Sequence, residues 1–128
     1  MMRKLLIAGV IFSCIGVVLG AMGAHALKEQ LEADQLNSFE TAVRYQLFHG
    51  LALMIIAVIP IISDKVKNVL LWFFVTGIIL FSVSIYGLST QAISGLKLSF
   101  LGPVTPLGGL LLIMGWSFLL FKLFQFKR

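Results

Sequence analysis

The chain has 128 residues, of which 59% are hydrophobic and 12% are charged, and its mean hydropathy is +1.04. This composition excludes an ordinary soluble domain and is typical of a membrane protein. Because about 20 apolar residues cross about 30 Å of hydrocarbon, the chain has room for four crossings. The net charge of +5 comes from basic residues at the ends of apolar runs, so we expect a lipid bilayer and no nucleic acid as its partner.

The first apolar run predicts a helix over residues 4–25. It is about twenty residues long, beyond the 7–15 residues of a signal-peptide core, so we expect a retained membrane span. The alternative is a cleaved signal, because Ala24-His25-Ala26 has the form of a cleavage site. Cys14 lies in this run and is the only cysteine, which excludes an intrachain disulfide and a cysteine-based metal cluster.

Three further apolar runs predict helices over residues 38–62, 69–90 and 105–124. The polar turn at residues 63–68 is short, and it therefore predicts antiparallel neighbours on either side. Thr105-Pro106 predicts the start of the last helix, with Thr as the N-cap and Pro in the first turn, where its missing N–H costs nothing.

The connection between the first two helices has its own pattern. Leu27 and Leu31 lie one turn apart among polar residues, which predicts a short interfacial helix over residues 27–34. Asn37 stands three residues before Glu40, and this capping-box spacing predicts that the second helix starts there.

The basic residues define an orientation, because Lys and Arg near helix ends are retained in the cytoplasm. One side carries Arg3, Lys4, Lys65, Lys67, Lys122, Lys127 and Arg128, and the other carries Lys28, Arg44 and Lys97. The expected fold is therefore an all-α membrane protein, one domain over residues 1–128. It has four transmembrane helices in an antiparallel up-down bundle with short loops, and both the N and C termini are cytoplasmic.

Small residues recur at spacings that allow close helix contact. They are Gly16, Gly20 and Ala24 on the first helix, and Gly108 and Gly115 on the fourth. The first-helix seam could meet another helix of the chain or a second copy. A homo-oligomer and a larger membrane complex therefore both remain open.

The densest polar chemistry lies on the second helix, where helical spacing puts Glu40 beside Arg44 and Tyr45 beside His49. One interpretation is structural: Glu40 and Arg44 form an ion pair at the headgroup level, with Tyr45 in the aromatic belt. The other is a polar site of these four residues with His25, expected at a depth similar to that of His49, through which protons pass. No metal or other cofactor is expected, since a zinc site needs three or four protein ligands.

Four segments match motifs of a known family. They are Gly20-Ala21-Met22-Gly23-Ala24-His25-Ala26-Leu27-Lys28, Phe39-Glu40-Thr41-Ala42-Val43-Arg44-Tyr45-Gln46 with His49, Leu80-Phe81-Ser82 with Ser84 and Tyr86, and Thr105-Pro106-Leu107-Gly108-Gly109 with Gly115-Trp116. The chain resembles, over nearly its whole length, the bacterial membrane family called domain of unknown function 423, whose animal relative is transmembrane protein 256. The resemblance implies a multi-pass protein of the bacterial inner (plasma) membrane with four helices and no established activity. Val83 departs from the motif, where Gly is expected.

Three functions remain open. The expected one is a non-enzymatic membrane protein that packs with itself or with a larger complex, because the loops are short, small-residue seams are present and a catalytic constellation is missing from the sequence. The alternative is a small channel or transporter with a polar path near Glu40, Arg44 and His49. The third is a membrane enzyme or cofactor carrier.

Overall fold

The computed structural model describes residues 1–126, which form helices and turns without a strand. Its four long helices are α1 (Met2–Ala24), α2 (Ala33–Val58), α3 (Asp64–Ser89) and α4 (Val104–Gln125), and each is long and apolar enough to cross a membrane. Two short helical turns, Gln91–Ser94 and Ser99–Leu101, connect α3 to α4. Lys127 and Arg128, which contributed to the orientation argument, lie outside the described residues.

The connection from α1 to α2 is not the predicted interfacial helix. Residues 25–30 form hydrogen-bonded turns, and Leu27 and Leu31 point inward to pack with Phe39 and Val43 of α2. The prediction of a helix over residues 27–34 is wrong because both leucines are buried inside the protein, which leaves no apolar face to lie on the membrane.

α2 begins at Ala33, earlier than the predicted residue 38. Its N-cap is Glu32, which forms a capping box with Gln35, whose side-chain oxygen accepts from the Glu32 backbone N–H at 3.1 Å. Asn37 therefore lies within the helix, and the predicted cap at that position is wrong. The helix starts before Asn37 because the side chains of Glu32 and Gln35 accept hydrogen bonds from backbone N–H groups at its first turn.

α2 ends at Val58 rather than at residue 62. The cause is Pro60, because a residue before proline is disfavoured in the helical conformation, and Ile59 is extended at φ −74°, ψ 113°. Lys67 then reaches back, and its Nζ donates to the carbonyl oxygen of Ala57 at 2.8 Å. This lysine is buried and satisfies one of the open carbonyls in the last turn of α2.

α3 begins at Asp64, not at residue 69, because the Ser63 hydroxyl caps the helix by accepting from the Val66 N–H at 3.4 Å. The helix is interrupted by a π-helical segment at Ile79–Val83. Val83, the residue that departs from the family motif, is 51% exposed. The departure therefore falls on an outward face and does not loosen a helix contact.

α4 begins at Val104, with Pro103 at the N-cap position. Thr105 was predicted to be the cap, but it lies in the first turn of the helix. Its hydroxyl contacts the Ser84 hydroxyl at 2.6 Å, across the contact between α3 and α4. The prediction failed because Thr105 has a partner on a neighbouring helix that competes with the local backbone.

α1 packs on α2 through buried glycines at seven-residue intervals, Gly9, Gly16 and Gly23. A Cβ atom on Gly9 would lie 2.6 Å from the carbonyl oxygen of Gly50, so the two backbones touch at that point. The predicted seam is wrong at Ala24, which is exposed, whereas Gly16 is buried and a Cβ atom on Gly20 would lie 3.3 Å from the side chain of Val43 on α2. Steps of four residues drift by about 40° around a helix, whereas steps of seven drift by only about 20°.

α3 packs on α4 at Gly108 and Gly115, two positions that the sequence singled out. A Cβ atom on Gly108 would overlap the backbone nitrogen of Phe81, and one on Gly115 would lie 2.6 Å from the ring of Phe74. Phe74 is fully buried and belongs to the main hydrophobic core, which all four long helices build. The core therefore depends on two glycines that let a backbone and an aromatic ring approach α4.

Adjacent glycines on α4 provide a matched pair of substitutions. We expect Gly108→Ala to lower the melting temperature in detergent, because the new methyl group overlaps backbone and overpacking costs about 1–3 kcal/mol. Gly109→Ala should melt at or above the parent temperature, since its Cβ would lie 3.6 Å from the Phe81 ring and Ala favours a helix by up to about 1 kcal/mol. Equal melting temperatures for the two variants would contradict the close contact.

Candidate functional site

Polar side chains meet inside the bundle around Gln46, which is 2% exposed. Its amide nitrogen donates to the carbonyl oxygen of Phe12 on α1 at 2.8 Å, and its amide oxygen accepts from the hydroxyl of Tyr86 on α3, also at 2.8 Å. A single side chain of α2 thereby joins three helices. We call Gln46, His49, Tyr86 and Trp116 the polar core cluster.

His49 is 5% exposed and lies one turn after Gln46. The indole N–H of Trp116 donates to His49 Nε2 at 2.9 Å, and His49 Nδ1 lies 2.6 Å from the carbonyl oxygen of Tyr45. An indole nitrogen can only donate, so Nε2 must supply the lone pair and Nδ1 must carry the proton. The arrangement therefore requires a neutral imidazole with both nitrogens engaged.

Aromatic rings fill the space beside this imidazole. The ring centroid of Phe74 lies 5.3 Å from that of His49, at an interplanar angle of 67°, and that of Trp116 lies 5.8 Å away. The Tyr45 ring stacks on the imidazole at a centroid distance of 6.2 Å. Three aromatic rings therefore lie against His49.

The bonding of His49 also bears on metal or haem binding, which the cofactor-carrier alternative would require. A metal ion or a haem iron would have to take the Nε2 lone pair that accepts from Trp116. Within residues 1–126, no group of three or more His, Cys, Asp or Glu side chains is close enough to hold a metal ion. In this conformation His49 is a structural hydrogen-bonding residue and has no free ligand atom.

The structure separates His25 from His49. Gly23 faces Phe39, near the start of α2, whereas Ser13 faces Gly50, the residue after His49. His25 follows the end of α1 and is exposed, and residues 13–25 span about 18 Å at about 1.5 Å per residue. The expectation of similar depth is wrong, because α1 and α2 contact each other along their lengths and His49 lies level with the middle of α1.

Glu40 and Arg44 do not form the predicted ion pair. Both are exposed, and the Arg44 guanidinium donates to the Thr41 hydroxyl at 3.0 Å. Among the described residues the ion pair that does occur joins the Met1 amino group to Asp64 at 3.8 Å. An exposed pair of long side chains gains little over hydration, and Thr41 offers Arg44 a nearer acceptor.

The five predicted site residues therefore do not converge. Tyr45 is 42% exposed and touches His49 through its ring and its carbonyl, but His25, Glu40 and Arg44 face outward elsewhere. Trp116, which donates to the inward histidine, and the bonded pair of Gln46 and Tyr86 were missed as site residues. Gln46 had a usable signal, because an amide inside an apolar span must find a partner. Nothing in the spacing of Trp116 on α4 indicated that it would reach α2.

Comparison with known proteins places this bundle in a family. The family model described as "Protein of unknown function (DUF423)" matches residues 19–109. The chain belongs to this family. The DUF423 match includes Gln46, His49 and Tyr86 and ends before Trp116, which donates to His49.

Two curated relatives of this DUF423 chain extend the match to nearly its full length. The chain is 38% identical to the UPF0382 membrane protein SH2409 of Staphylococcus haemolyticus over 125 residues, 98% of each chain. It is 35% identical to the UPF0382 membrane protein YwdK of Bacillus subtilis over 120 residues, 90% of this chain and 91% of that protein. No solved structure matches it. The names of both relatives state a membrane location and no activity.

A double-mutant cycle tests the bond between His49 and Trp116. We expect His49→Phe and Trp116→Phe each to lower the melting temperature in detergent, because each leaves one member of the bond, the Trp116 N–H or the buried His49 Nε2, without its partner. The double variant should lose less than the sum of the single losses. Side-chain hydrogen bonds in membranes suggest a coupling of about 0.6 kcal/mol and at most about 1.7 kcal/mol.

Trp72→Phe is the matched control for that cycle. Trp72 is the other tryptophan, it is 60% exposed on α3, and its substitution should leave the melting temperature close to that of the parent. Strictly additive losses for His49 and Trp116 would show that the two side chains do not interact.

Proposed function

We propose that this DUF423 protein is a non-enzymatic membrane component that acts by assembly, either with further copies of itself or within a larger membrane complex. The observation that carries the proposal is the bonding of the polar core cluster. Gln46 and His49 use their polar atoms on protein partners, so the buried polar groups tie helices together and leave no reactive atom for a substrate.

The distribution of buried surface supports an interface on α1. In its most apolar stretch 17% of the residues are buried, against 50% in α2, because α1 packs mainly along one side of α2. The opposite side of α1 is a continuous apolar face that includes Ile7, Ile11 and Val18. Because α1 is held mainly by α2, it has the smallest buried share of the four helices and leaves the most surface for lipid or for another protein.

We further propose that the helices alternate in direction across a bacterial plasma membrane, with both termini in the cytoplasm. The contacts of α1 with α2 support this, since Gly9, Gly16 and Gly23 meet residues of α2 in descending order, Gly50, Leu47 and Phe39. The excess of Lys and Arg at the ends near Arg3, Lys65 and Lys122 supports the cytoplasmic side. The relatives are named membrane proteins, which supports the location.

Reporter fusions test this topology. A phosphatase that is active only outside the cytoplasm should be active when fused after Asp34 or Ser99 and inactive after Lys67 or Arg128. A fluorescent protein that matures only in the cytoplasm should give the opposite pattern. Phosphatase activity after Arg128 would contradict the four-span arrangement.

The assembly proposal is tested on particles excised from native membranes with a styrene–maleic acid copolymer. Their protein mass, measured by light scattering, should exceed that of one chain. We expect Val18→Trp, on the free face of α1, to reduce this mass, and Ile113→Trp, an exposed position on α4, to leave it unchanged. Particles that hold one copy and no companion protein would contradict the proposal.

A further inference from the structure

A cleft with a volume of about 550 Å³ opens between the first turns of α2, the last turns of α3 and the start of α4. It lies apart from the polar core cluster, none of whose residues line it. Asp34, Asn37, Ser38 and Thr41 line one wall, at helical spacings of three and four that place them on one face of α2. Ile85, Leu88 and Pro106 supply the apolar part of the facing wall, which also holds Ser89 and Thr105.

The polar groups that line the cleft are one carboxylate, two amides and several hydroxyls. The hydroxyls of Ser38 and Thr41 donate to the carbonyl oxygens of Asp34 and Asn37. The Thr41 oxygen also accepts from the Arg44 guanidinium, whereas the Ser38 oxygen accepts no hydrogen bond from the described residues. Within residues 1–126 the Asp34 carboxylate has neither an ion pair nor a hydrogen bond, and the Asn37 amide has no side-chain partner. Of the residues that line the cleft Asp34 alone is charged, and the Arg44 guanidinium lies at its edge, where it donates to Thr41.

The length of α2 places this cleft at a membrane surface. Its 26 residues are about 39 Å long, whereas the hydrocarbon core is about 30 Å thick. The first turns of α2, which hold Asp34 and Asn37, therefore extend into the headgroup region. A ligand there meets water at the polar wall and acyl chains at the apolar one, whichever side of the membrane this end occupies.

We propose that the cleft binds an amphiphile that carries a protonated amine. Its ammonium group pairs with the Asp34 carboxylate and donates to the side-chain oxygens of Asn37 and Ser38. Its chain lies along Ile85 and Leu88. An ammonium group fits because it is a pure donor with a positive charge, which complements an unpaired carboxylate beside two acceptor oxygens. The assembly proposal does not require this site.

The test uses three small probes on the purified full chain in a neutral detergent at pH 7. Octylamine offers the amine and the chain, octanol offers the chain alone, and ethylamine offers the amine without the long chain. We expect octylamine to raise the melting temperature in a saturable manner. Octanol and ethylamine at the same concentrations should raise it less.

Three variants locate the binding. Asp34→Asn should raise the half-saturating octylamine concentration about tenfold, as expected when a charge-assisted contact worth about 1.4 kcal/mol is lost. Glu40→Gln is the matched control, because Glu40 is an exposed carboxylate on α2 outside the cleft, and it should bind octylamine like the parent. Ser38→Phe should block binding by filling the cleft while Asp34 remains in place.

Two results would overturn the proposal. An octylamine effect that persists unchanged in both Asp34→Asn and Ser38→Phe would place the amine in the micelle or elsewhere on the protein. An equal effect of ethylamine would show a site for small soluble amines and not for amphiphiles. If Asp34→Asn does not fold, the Ser38→Phe and Glu40→Gln pair gives the same decision.

Discussion

Inside a bilayer an unpaired polar group is costly, and this constraint organises the bundle, although the buried hydroxyl of Ser13 has no partner among the described residues. Three side chains meet it by bonding to carbonyl oxygens of other helices. Gln46 donates to Phe12, Ser82 donates to Ala42 and Lys67 donates to Ala57, each at 2.8 Å. Such bonds form only where two helices approach closely, so the polar contacts and the glycine contacts depend on each other.

The glycines provide that approach at two separate interfaces. On α1 they meet the backbone of α2 near Gly50, and on α4 they admit the backbone of α3 at Gly108 and the ring of Phe74 at Gly115. Lipid gives little hydrophobic drive for helices to associate, so dispersion contacts of this kind carry much of the association. The polar bonds then select one rotation of each helix, because a rotated Gln46 would lose both Phe12 and Tyr86.

The sequence predicted the four helices because twenty-residue apolar runs have few alternatives, and it identified Gly108 and Gly115 on the correct face. It was less successful where two local signals competed. Asn37 and Glu32 each stand three residues before a side chain that can complete a capping box, and the box that forms joins Glu32 to Gln35. Nor could spacing alone pair the polar residues. The spacing of Glu40 and Arg44 permits an ion pair, but Thr41 is the partner that Arg44 uses.

Long-range partners were beyond sequence patterns for a geometric reason. Whether Trp116 reaches His49 depends on the rotation of α4 about its own axis and on its crossing with α2. No repeat within either helix encodes these two quantities. Gln46 could have been identified as inward-facing from its cost in lipid, and its partners Phe12 and Tyr86 could not. The relatives are named membrane proteins, and their names leave these pairings to the structure.

The π-helical segment of α3 sets the phase between the two halves of that helix. Before it, Leu70, Phe74 and Ile78 face the main core, and after it Tyr86 faces Gln46. Each residue of an α-helix advances the azimuth by about 100°, so removing one residue from Ile79–Val83 would turn one half against the other by about that angle. The π-helical segment thus changes the direction in which the side chains after it point, relative to those before it. It lets one continuous helix present an aromatic core to α4 at one end and hydrogen-bond donors to α2 at the other.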